Sequence, residues 1–259
     1  MNSSKKIYLC TLCSCLLLSS CSAPSNRLPI LTPVNNEISG AASEFGKVNI
    51  ENSPYYKNIN FYNSSPTSTL IKLKNFKTYQ QTSEYSCGAA CVLMALNYFG
   101  ISNVSEDALV KEMDVRSHEN PRDDGSIGAT TQSIVDAFKN RGLNVTSSFD
   151  TQNESGISVE SEKDFYQFIT QKIKANNAIL IENVEFGGHW RVIIGYDDMG
   201  KPEETDTHVI ILADPYDTTD HNQNGYTIES ASRLFSSWFD HNVMPPNQQV
   251  QQYVCVAKN

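Results

Sequence analysis

Residues 86–100 read SCGAACVLMALNYFG, an almost unbroken apolar run that contains two cysteines and ends in a glycine. Apolar residues on every side of a helical turn are typical of a helix that is buried nearly all round. Gly100 is expected to end this helix, because glycine readily adopts the left-handed conformation of a helix C-terminus. The pattern therefore predicts a central helix over residues 87–99, with Cys87 at its N-terminus.

Three more helices are predicted after the central one. Ser105, Thr130 or Thr131, and Ser161 are placed as N-caps of helices that run to about residues 113, 142 and 176. The last of these has Phe165, Phe168, Ile169 and Ile173 on one face.

The final third of the chain is typical of strands, since it is rich in β-branched residues and broken by turn residues. Strands are predicted at residues 178–181, 189–196, 208–212 and 252–256, with a short early strand at 70–73 and a short helix around 231–239. Helices followed by strands indicate an α+β fold with a mainly antiparallel sheet, and not a doubly wound parallel sheet.

The N-terminus is typical of an export signal. Lys5 and Lys6 precede an apolar run over residues 7–18, which as a helix spans only about 18 Å of a roughly 30 Å bilayer core. Residues 18–21, LSSC, resemble the bacterial lipobox, in which cleavage before Cys21 leaves a thiol that receives a lipid. An ordinary secretory signal with an incidental Cys21 is the alternative. We expect a signal peptide at 1–20, a lipidated tether at 21–69 and a folded domain at 70–259.

The net charge and the number of cysteines exclude some classes of function. The chain of 259 residues has a formal charge of −9, which becomes −11 once residues 1–20 and their two lysines are removed. This acidic balance argues against nucleic acid as a partner, because that binding depends on Lys and Arg. After removal of the signal and lipidation of Cys21, Cys87, Cys91 and Cys255 remain. Three thiols in an exported protein leave at least one unpaired, which is typical of a functional cysteine and not of a disulfide scaffold.

The residue pattern indicates a thiol nucleophile. Cys87 is predicted at a helix N-terminus, where free N–H groups and the helix dipole favour a thiolate. His189 begins a strand after two glycines and is a candidate base, and Asp214 ends the next strand, where it can orient an imidazole. Asp197 and Asp198 are rivals for that role, but they lie roughly 25 Å along the strand from its start.

A second cysteine and two glutamines lie close to Cys87 in the sequence. Cys91, one turn deeper in an apolar context, is interpreted as a small buried residue, and a Cys87–Cys91 disulfide is a weaker alternative because the Cβ directions are unsuitable. Gln81 lies six residues before Cys87, close enough to donate its amide to an oxyanion, with Gln80 as an alternative.

These blocks resemble a known family. Gln81, the step of six residues and the sequence CGAAC are similar to the pattern of bacteriocin-processing, double-glycine peptidases. Residues 188–196, GHWRVIIGY, and 213–215, ADP, resemble the His and Asp blocks of that family. The resemblance covers about residues 70–256. It implies a papain-like cysteine peptidase fold with Cys87 as nucleophile, His189 as base, Asp214 as orienting acid and Gln81 in the oxyanion hole.

The sequence predicts an envelope lipoprotein with cysteine peptidase activity on a peptide or protein substrate. Its membrane partner would be reached through lipid on Cys21, in the outer membrane if the source has two. An acyl or peptidyl transferase and a non-catalytic binding lipoprotein on the same fold remain open. No cofactor or metal is expected: residues 220–225, DHNQNG, match the first half of a calcium loop, but Ala231 occupies the position of its bidentate glutamate.

Overall fold

A computed structural model of the chain describes residues 31, 40–43, 59–151, 159–218 and 222–259. The predicted signal and Cys21 lie outside these residues, as do Asp220 and His221 of the loop considered as a calcium site. Within the described ranges, none of the helices combines the length and the apolar character that crossing a membrane requires.

The central helix, α1, spans Cys87–Tyr98, and all of its residues up to Leu96 are buried. The prediction of a helix without a solvent face is therefore confirmed. Further helices in the described residues are α2 (Glu106–Glu112), α3 (Thr131–Lys139), α4 (Ser148–Thr151), α5 (Glu162–Lys174) and α6 (Ala231–Ser236).

Three of the helices begin where the sequence predicts. The side chains of Ser105, Thr130 and Ser161 each accept a hydrogen bond from the backbone N–H three residues further on. Such caps satisfy N–H groups that have no partner inside the helix, which fixes the helix start. Thr130, and not Thr131, is therefore the N-cap of α3.

Seven strands form a single sheet in which every described pairing is antiparallel. They are β1 (Leu70–Lys72), β2 (Asn144–Ser147), β3 (Ala178–Asn183), β4 (His189–Asp197), β5 (Val209–Ala213), β6 (Tyr226–Ser230) and β7 (Tyr253–Ala257). The order across the sheet is β2-β7-β3-β4-β5-β6, and β1 pairs with the far end of β4. The α+β architecture with an antiparallel sheet is confirmed.

The sheet topology places the first residue of β4 beside the N-terminus of α1. Helix α1 packs directly on β4, and the Cys91 thiol donates a hydrogen bond to the Trp190 carbonyl oxygen at 3.1 Å. Strand β5 lies next to β4 with Val192 opposite Ala213, so the residue after β5 lies near the start of β4. Residues far apart in sequence thus meet at one end of the sheet.

The sequence patterns missed three elements. Strands β2 and β6 and the one-turn helix α4 were not predicted. Strand β2 has four residues, too few for an alternating pattern to stand out, and it exists because β7 supplies its hydrogen-bonding partner. Strand β6 is likewise defined by its pairing with β5.

Part of the predicted tether contacts the domain. The backbone N–H groups of Leu31, Gly40 and Ala42 donate to carbonyl oxygens of residues 78, 82 and 81, and Ala41 is buried. These contacts lie on the segment that carries Gln81, so the described parts of residues 31–43 brace the loop before α1.

Candidate active site

Cys87 is the first residue of α1, as predicted from the sequence. It is 8% exposed and lines a cavity of about 300 Å³. The side chain of Ser86, at the N-cap, makes no capping bond to the helix within the described structure. The first N–H groups of α1 therefore keep their capacity to bind an anion that forms at Cys87.

Glycine at position 88 permits the close packing behind the thiol. A Cβ added to Gly88 would lie 2.5 Å from the Cβ of Ala129, a distance that real Cβ atoms do not tolerate. The Ala129 carbonyl oxygen in turn accepts a hydrogen bond from Trp190 Nε1 at 3.0 Å. Because Trp190 follows His189 directly, this packing fixes the start of β4 against the start of α1.

His189 and Asp214 form a buried hydrogen-bonded pair. The distance from His189 Nε2 to Asp214 Oδ1 is 2.8 Å, and the residues are 3% and 1% exposed. The Tyr216 backbone N–H donates to the same oxygen at 2.8 Å, which holds the carboxylate in place. His189 also interacts with Cys87, and since Nε2 faces Asp214, Nδ1 is the ring nitrogen left for the thiol.

Charges around the imidazole decide its protonation. Burial by itself lowers the pKa of His189, but the charge and hydrogen bond of Asp214, with a smaller contribution from Cys87, outweigh burial and raise the pKa to about 9. For Asp214 burial acts in the opposite direction and raises the pKa. The interaction of the carboxylate with His189 outweighs burial, so the pKa of Asp214 lies below its ordinary value. The surroundings therefore favour an imidazolium beside an ionised carboxylate.

Gln81 and Gln80 are both buried but have different surroundings. Gln80 Nε2 donates to the Asp214 carbonyl oxygen at 2.8 Å, and its Oε1 accepts from the Asp217 N–H at 3.2 Å, so Gln80 braces the segment after β5. Gln81 Nε2 donates to the Ser83 carbonyl oxygen at 2.6 Å, which leaves the second N–H of its amide for another acceptor.

Two aromatic rings cover the imidazole. The ring centroids of Phe186 and Tyr216 lie 5.8 Å and 6.4 Å from that of His189, and the two rings lie 5.6 Å from each other. Phe186 is 58% exposed and has a positive φ of 54°, an unusual backbone conformation for a phenylalanine. The rings limit the access of water to the His189–Asp214 pair.

The rival acids Asp197 and Asp198 lie outside this cluster, as does the buried His208. Asp197 pairs with Leu70 at the opposite end of β4, and Asp198 follows it. His208 is buried between Tyr196 Oη, at 2.9 Å, and the Lys201 carbonyl oxygen, also at 2.9 Å. Both ring nitrogens of His208 are therefore hydrogen-bonded within the fold, which indicates a structural role for this residue.

The cysteines of the described region are all free. Cys91 is fully buried, and burial raises its pKa well above the ordinary value. Burial also raises the pKa of Cys255, to about 12. No disulfide between Cys87 and Cys91 is present in the described structure, and Cys91 behaves as the small buried residue that the sequence predicts.

Two features of the site were missed at the sequence level. Glu106, at the start of α2, is 1% exposed and accepts hydrogen bonds from Tyr79 Oη, Thr82 Oγ1 and the Thr82 N–H at 2.7–3.0 Å, which fixes the segment around Gln81. Glu182 and Asp240 form a buried pair of carboxyl groups next to the cavity. No sequence signal marks either feature, since their partners are distant in the chain.

The described residues contain no group of three or more His, Cys, Asp or Glu side chains arranged to hold a metal ion. Asp220 and His221 lie outside those residues, so the structure does not test the expectation that the loop at 220–225 holds no calcium ion.

None of the curated proteins matches the chain. Among solved structures, the peptidase domain of Streptococcus ComA, a bifunctional ABC transporter involved in a quorum-sensing pathway, is 17% identical, with a TM-score of 0.46 over 71% of this chain and 99% of that domain. A double-glycine-motif protease from an AMS/PCAT transporter, in complex with a leader peptide, is 16% identical, with a TM-score of 0.40 over 74% of this chain and 94% of the other.

The peptidase domain of Streptococcus mutans ComA is 16% identical, with a TM-score of 0.36 over 70% of this chain and 99% of that domain. Residues 73–239, more than half of the chain, match the family described as Peptidase_C39 like family. This match spans α1 and the strands that bring Cys87, His189 and Asp214 together. The chain therefore belongs to the Peptidase_C39 like family and has the papain-like α+β fold of cysteine peptidases.

Proposed function

We propose that this protein is a cysteine peptidase that hydrolyses peptide bonds, with Cys87 as nucleophile, His189 as base and Asp214 as the acid that orients it. The observation that supports this most strongly is that His189 interacts with the Cys87 thiol and is hydrogen-bonded through Nε2 to the Asp214 carboxylate, at the wall of a cavity. Separate structural roles would not require these three groups to meet at the end of a helix.

The mechanism follows from the positions of the groups. His189 takes the thiol proton, and the Cys87 sulfur attacks the carbonyl carbon of the peptide bond. The Cys87 N–H and the free N–H of the Gln81 amide donate to the oxyanion. The imidazolium gives its proton to the leaving amine, and a water molecule then attacks the thioester, which releases the acid and restores the thiol.

The environment of the imidazole suits this role. An imidazolium is stabilised beside Asp214, so proton transfer from Cys87 produces an ion pair that the site already supports. The aromatic rings of Phe186 and Tyr216 keep this pair away from bulk water, which strengthens the interaction of its charges.

We also propose that the mature chain is a lipoprotein of the bacterial envelope, anchored through Cys21. This proposal rests on Lys5 and Lys6, the apolar run at 7–18 and the LSSC sequence. The domain would then meet its substrate near a membrane surface, at the outer membrane if the source has two.

Hydrolysis is tested with the mature chain, residues 21–259, in which Cys21→Ser removes the lipid site. A peptide library is incubated with this protein and with the Cys87→Ala and His189→Ala variants, and the products are identified by mass spectrometry. We expect new N- and C-termini only with intact Cys87 and His189. Turnover that survives Cys87→Ala contradicts the proposal.

The same assay separates hydrolysis from acyl transfer. With a primary amine added as acceptor, a hydrolase still gives the free acid, whereas a transferase gives the amide. Lipidation is tested separately by metabolic labelling of the full chain with an alkyne fatty acid. Label on the wild type that is lost in Cys21→Ala supports the anchor, and an unlabelled wild type contradicts it.

A further inference from the structure

Two carboxyl groups with no part in the mechanism above meet beside the nucleophile. Glu182 lies on β3 opposite Trp190, and Asp240 lies in the loop after α6. They are 1% and 0% exposed, and their side chains interact directly with each other.

Three of the four oxygens of the pair accept no hydrogen bond of acceptable geometry from the described residues. Asp240 Oδ1 accepts from the backbone N–H groups of Asn242 and Val243, at 2.6 Å and 3.2 Å, and these bonds hold the side chain in one orientation. Asp240 Oδ2 and both oxygens of Glu182 have no hydrogen-bond partner of acceptable geometry among the described residues.

No cation among the described residues neutralises the pair. Within the described ranges, neither Glu182 nor Asp240 forms an ion pair with a Lys, Arg or His side chain. The buried guanidinium of Arg191 is engaged by Glu185 at 2.9 Å and Glu229 at 3.0 Å.

The pair lies next to the substrate cavity. Glu182 lines the same cavity of about 300 Å³ as Cys87, Gly188 and Trp190. A Cβ added to Gly188 would lie 2.3 Å from Asp240 Oδ2 and 2.2 Å from Val243 Cγ2. Glycine at this position therefore leaves the Asp240 carboxyl directly behind the cavity wall, where a longer residue would push it away.

Burying two carboxyl groups when three of their four oxygens accept no hydrogen bond within the described structure is unfavourable, and apolar residues of similar size would make a more stable wall. Burial and the neighbouring Asp240 raise the pKa of Glu182 well above its ordinary value, with a weak opposite effect from the His189 N–H. Without a ligand Glu182 therefore favours its protonated form.

We propose that Glu182 and Asp240 form a subsite that binds a cationic side chain, lysine or arginine, of a peptide substrate near the bond to be cleaved. The N–H groups of the cation would donate to the three oxygens that have no donor, and the proton held by the pair would leave to solvent. This inference deepens the proposed function and rests on it for the identity of the ligand as part of a substrate.

The test uses the mature chain with Cys21→Ser and eight peptidyl chloromethyl ketones. Each reagent alkylates a thiolate: the sulfur–carbon bond forms and chloride leaves. The reagents carry arginine, its neutral isostere citrulline, lysine or the neutral norleucine, placed in turn at the first and second residue from the ketone. Mass spectrometry measures the rate of Cys87 labelling.

We expect arginine to react at least about tenfold faster than citrulline at one of the two positions, because a charge-assisted bond in a buried site is worth that much. Glu182→Gln and Asp240→Asn should remove this ratio. Glu84→Gln is the matched control: Glu84 is an exposed carboxylate that lines the same cavity, and its loss should leave the ratio unchanged.

Equal labelling rates with the arginine and citrulline reagents in the wild type overturn the inference. It is also overturned if the ratio of these two rates stays the same in Glu182→Gln, or if Glu84→Gln removes the ratio as fully as Glu182→Gln does. If no reagent labels Cys87, the proposed function fails, and the subsite is then judged by NMR titration with arginine amide and citrulline amide. Binding of arginine amide alone, lost in Glu182→Gln, supports a cation site on an unreactive protein. Binding of neither amide refutes it.

Discussion

Replacing Asp214 by asparagine tests how the imidazole obtains its charge. The substitution keeps the shape of the side chain but removes the carboxylate that accepts from His189 Nε2 at 2.8 Å. Burial, the largest influence on the imidazole, then lowers its pKa with no carboxylate charge to oppose it. We expect the pKa of His189 to fall from about 9 to its ordinary value of 6.5 or below.

The size of the effect follows from linkage. A pKa raised from 6.5 to about 9 corresponds to about 3 kcal/mol of stability, at 1.36 kcal/mol per pKa unit. Because the pKa is raised in the folded state, this stability is fully present below pH 6.5 and is lost as the pH rises through about 9. The lowered pKa of Asp214 reflects the same interaction and is not added to it.

Two measurements check this prediction. An NMR titration of the His189 ring gives its pKa, and urea unfolding at pH 6 and pH 9.5 gives the free energy of unfolding. Asp214→Asn should be less stable by about 3 kcal/mol at pH 6 and close to the wild type at pH 9.5. Asp198→Asn is the matched control, since its half-buried carboxylate lies at the far end of β4. An imidazole that still titrates near 9 in Asp214→Asn, or a loss of stability equal at both pH values, refutes the reasoning.

Three further substitutions have expected outcomes. Gly188→Ala should lower the unfolding free energy by at least about 2 kcal/mol in thermal melts, because φ is +132° and the new Cβ would lie 2.2 Å from a valine methyl carbon. The control Gly187→Ala, with φ of +86° and open space around the new Cβ, should lower it by about 1 kcal/mol. Equal costs would exclude the clash as the cause. Glu106→Gln should lower the unfolding free energy by about 2 kcal/mol in urea titrations, since a charged acceptor of three hydrogen bonds is lost, while the exposed Asp107→Asn should change it by less than about 0.5 kcal/mol. Glu182→Gln should raise the melting temperature more at pH 8 than at pH 5, because a carboxyl with a raised pKa in the folded state stabilises the fold at low pH and loses that contribution as the pH rises. A larger gain at pH 5 would show that Glu182 is ionised in the folded protein.

The helices were predictable because their signals are local. A cap at Ser105, Thr130 or Ser161 involves residues three apart, and the apolar run of α1 shows burial directly in the sequence. The strands β3, β4 and β7 were predicted for the same reason, since each has an apolar, β-branched run of its own. Strands β2 and β6 depend on partners elsewhere in the chain, so their own residues carry too weak a pattern.

The sequence by itself determined the fold class and named the candidates Cys87, His189, Asp214 and Gln81, because a helix N-terminus, a strand start and a strand end can be located from neighbouring residues. Only the tertiary structure decided which side chains meet. His189 contacts Asp214, and Glu182 interacts with Asp240. Gln80 binds the segment after β5, which distinguishes it from Gln81. The physical reason is that hydrogen bonds, charge interactions and burial depend on distances between atoms, and for residues 25 to 134 positions apart those distances are set by sheet register and helix packing.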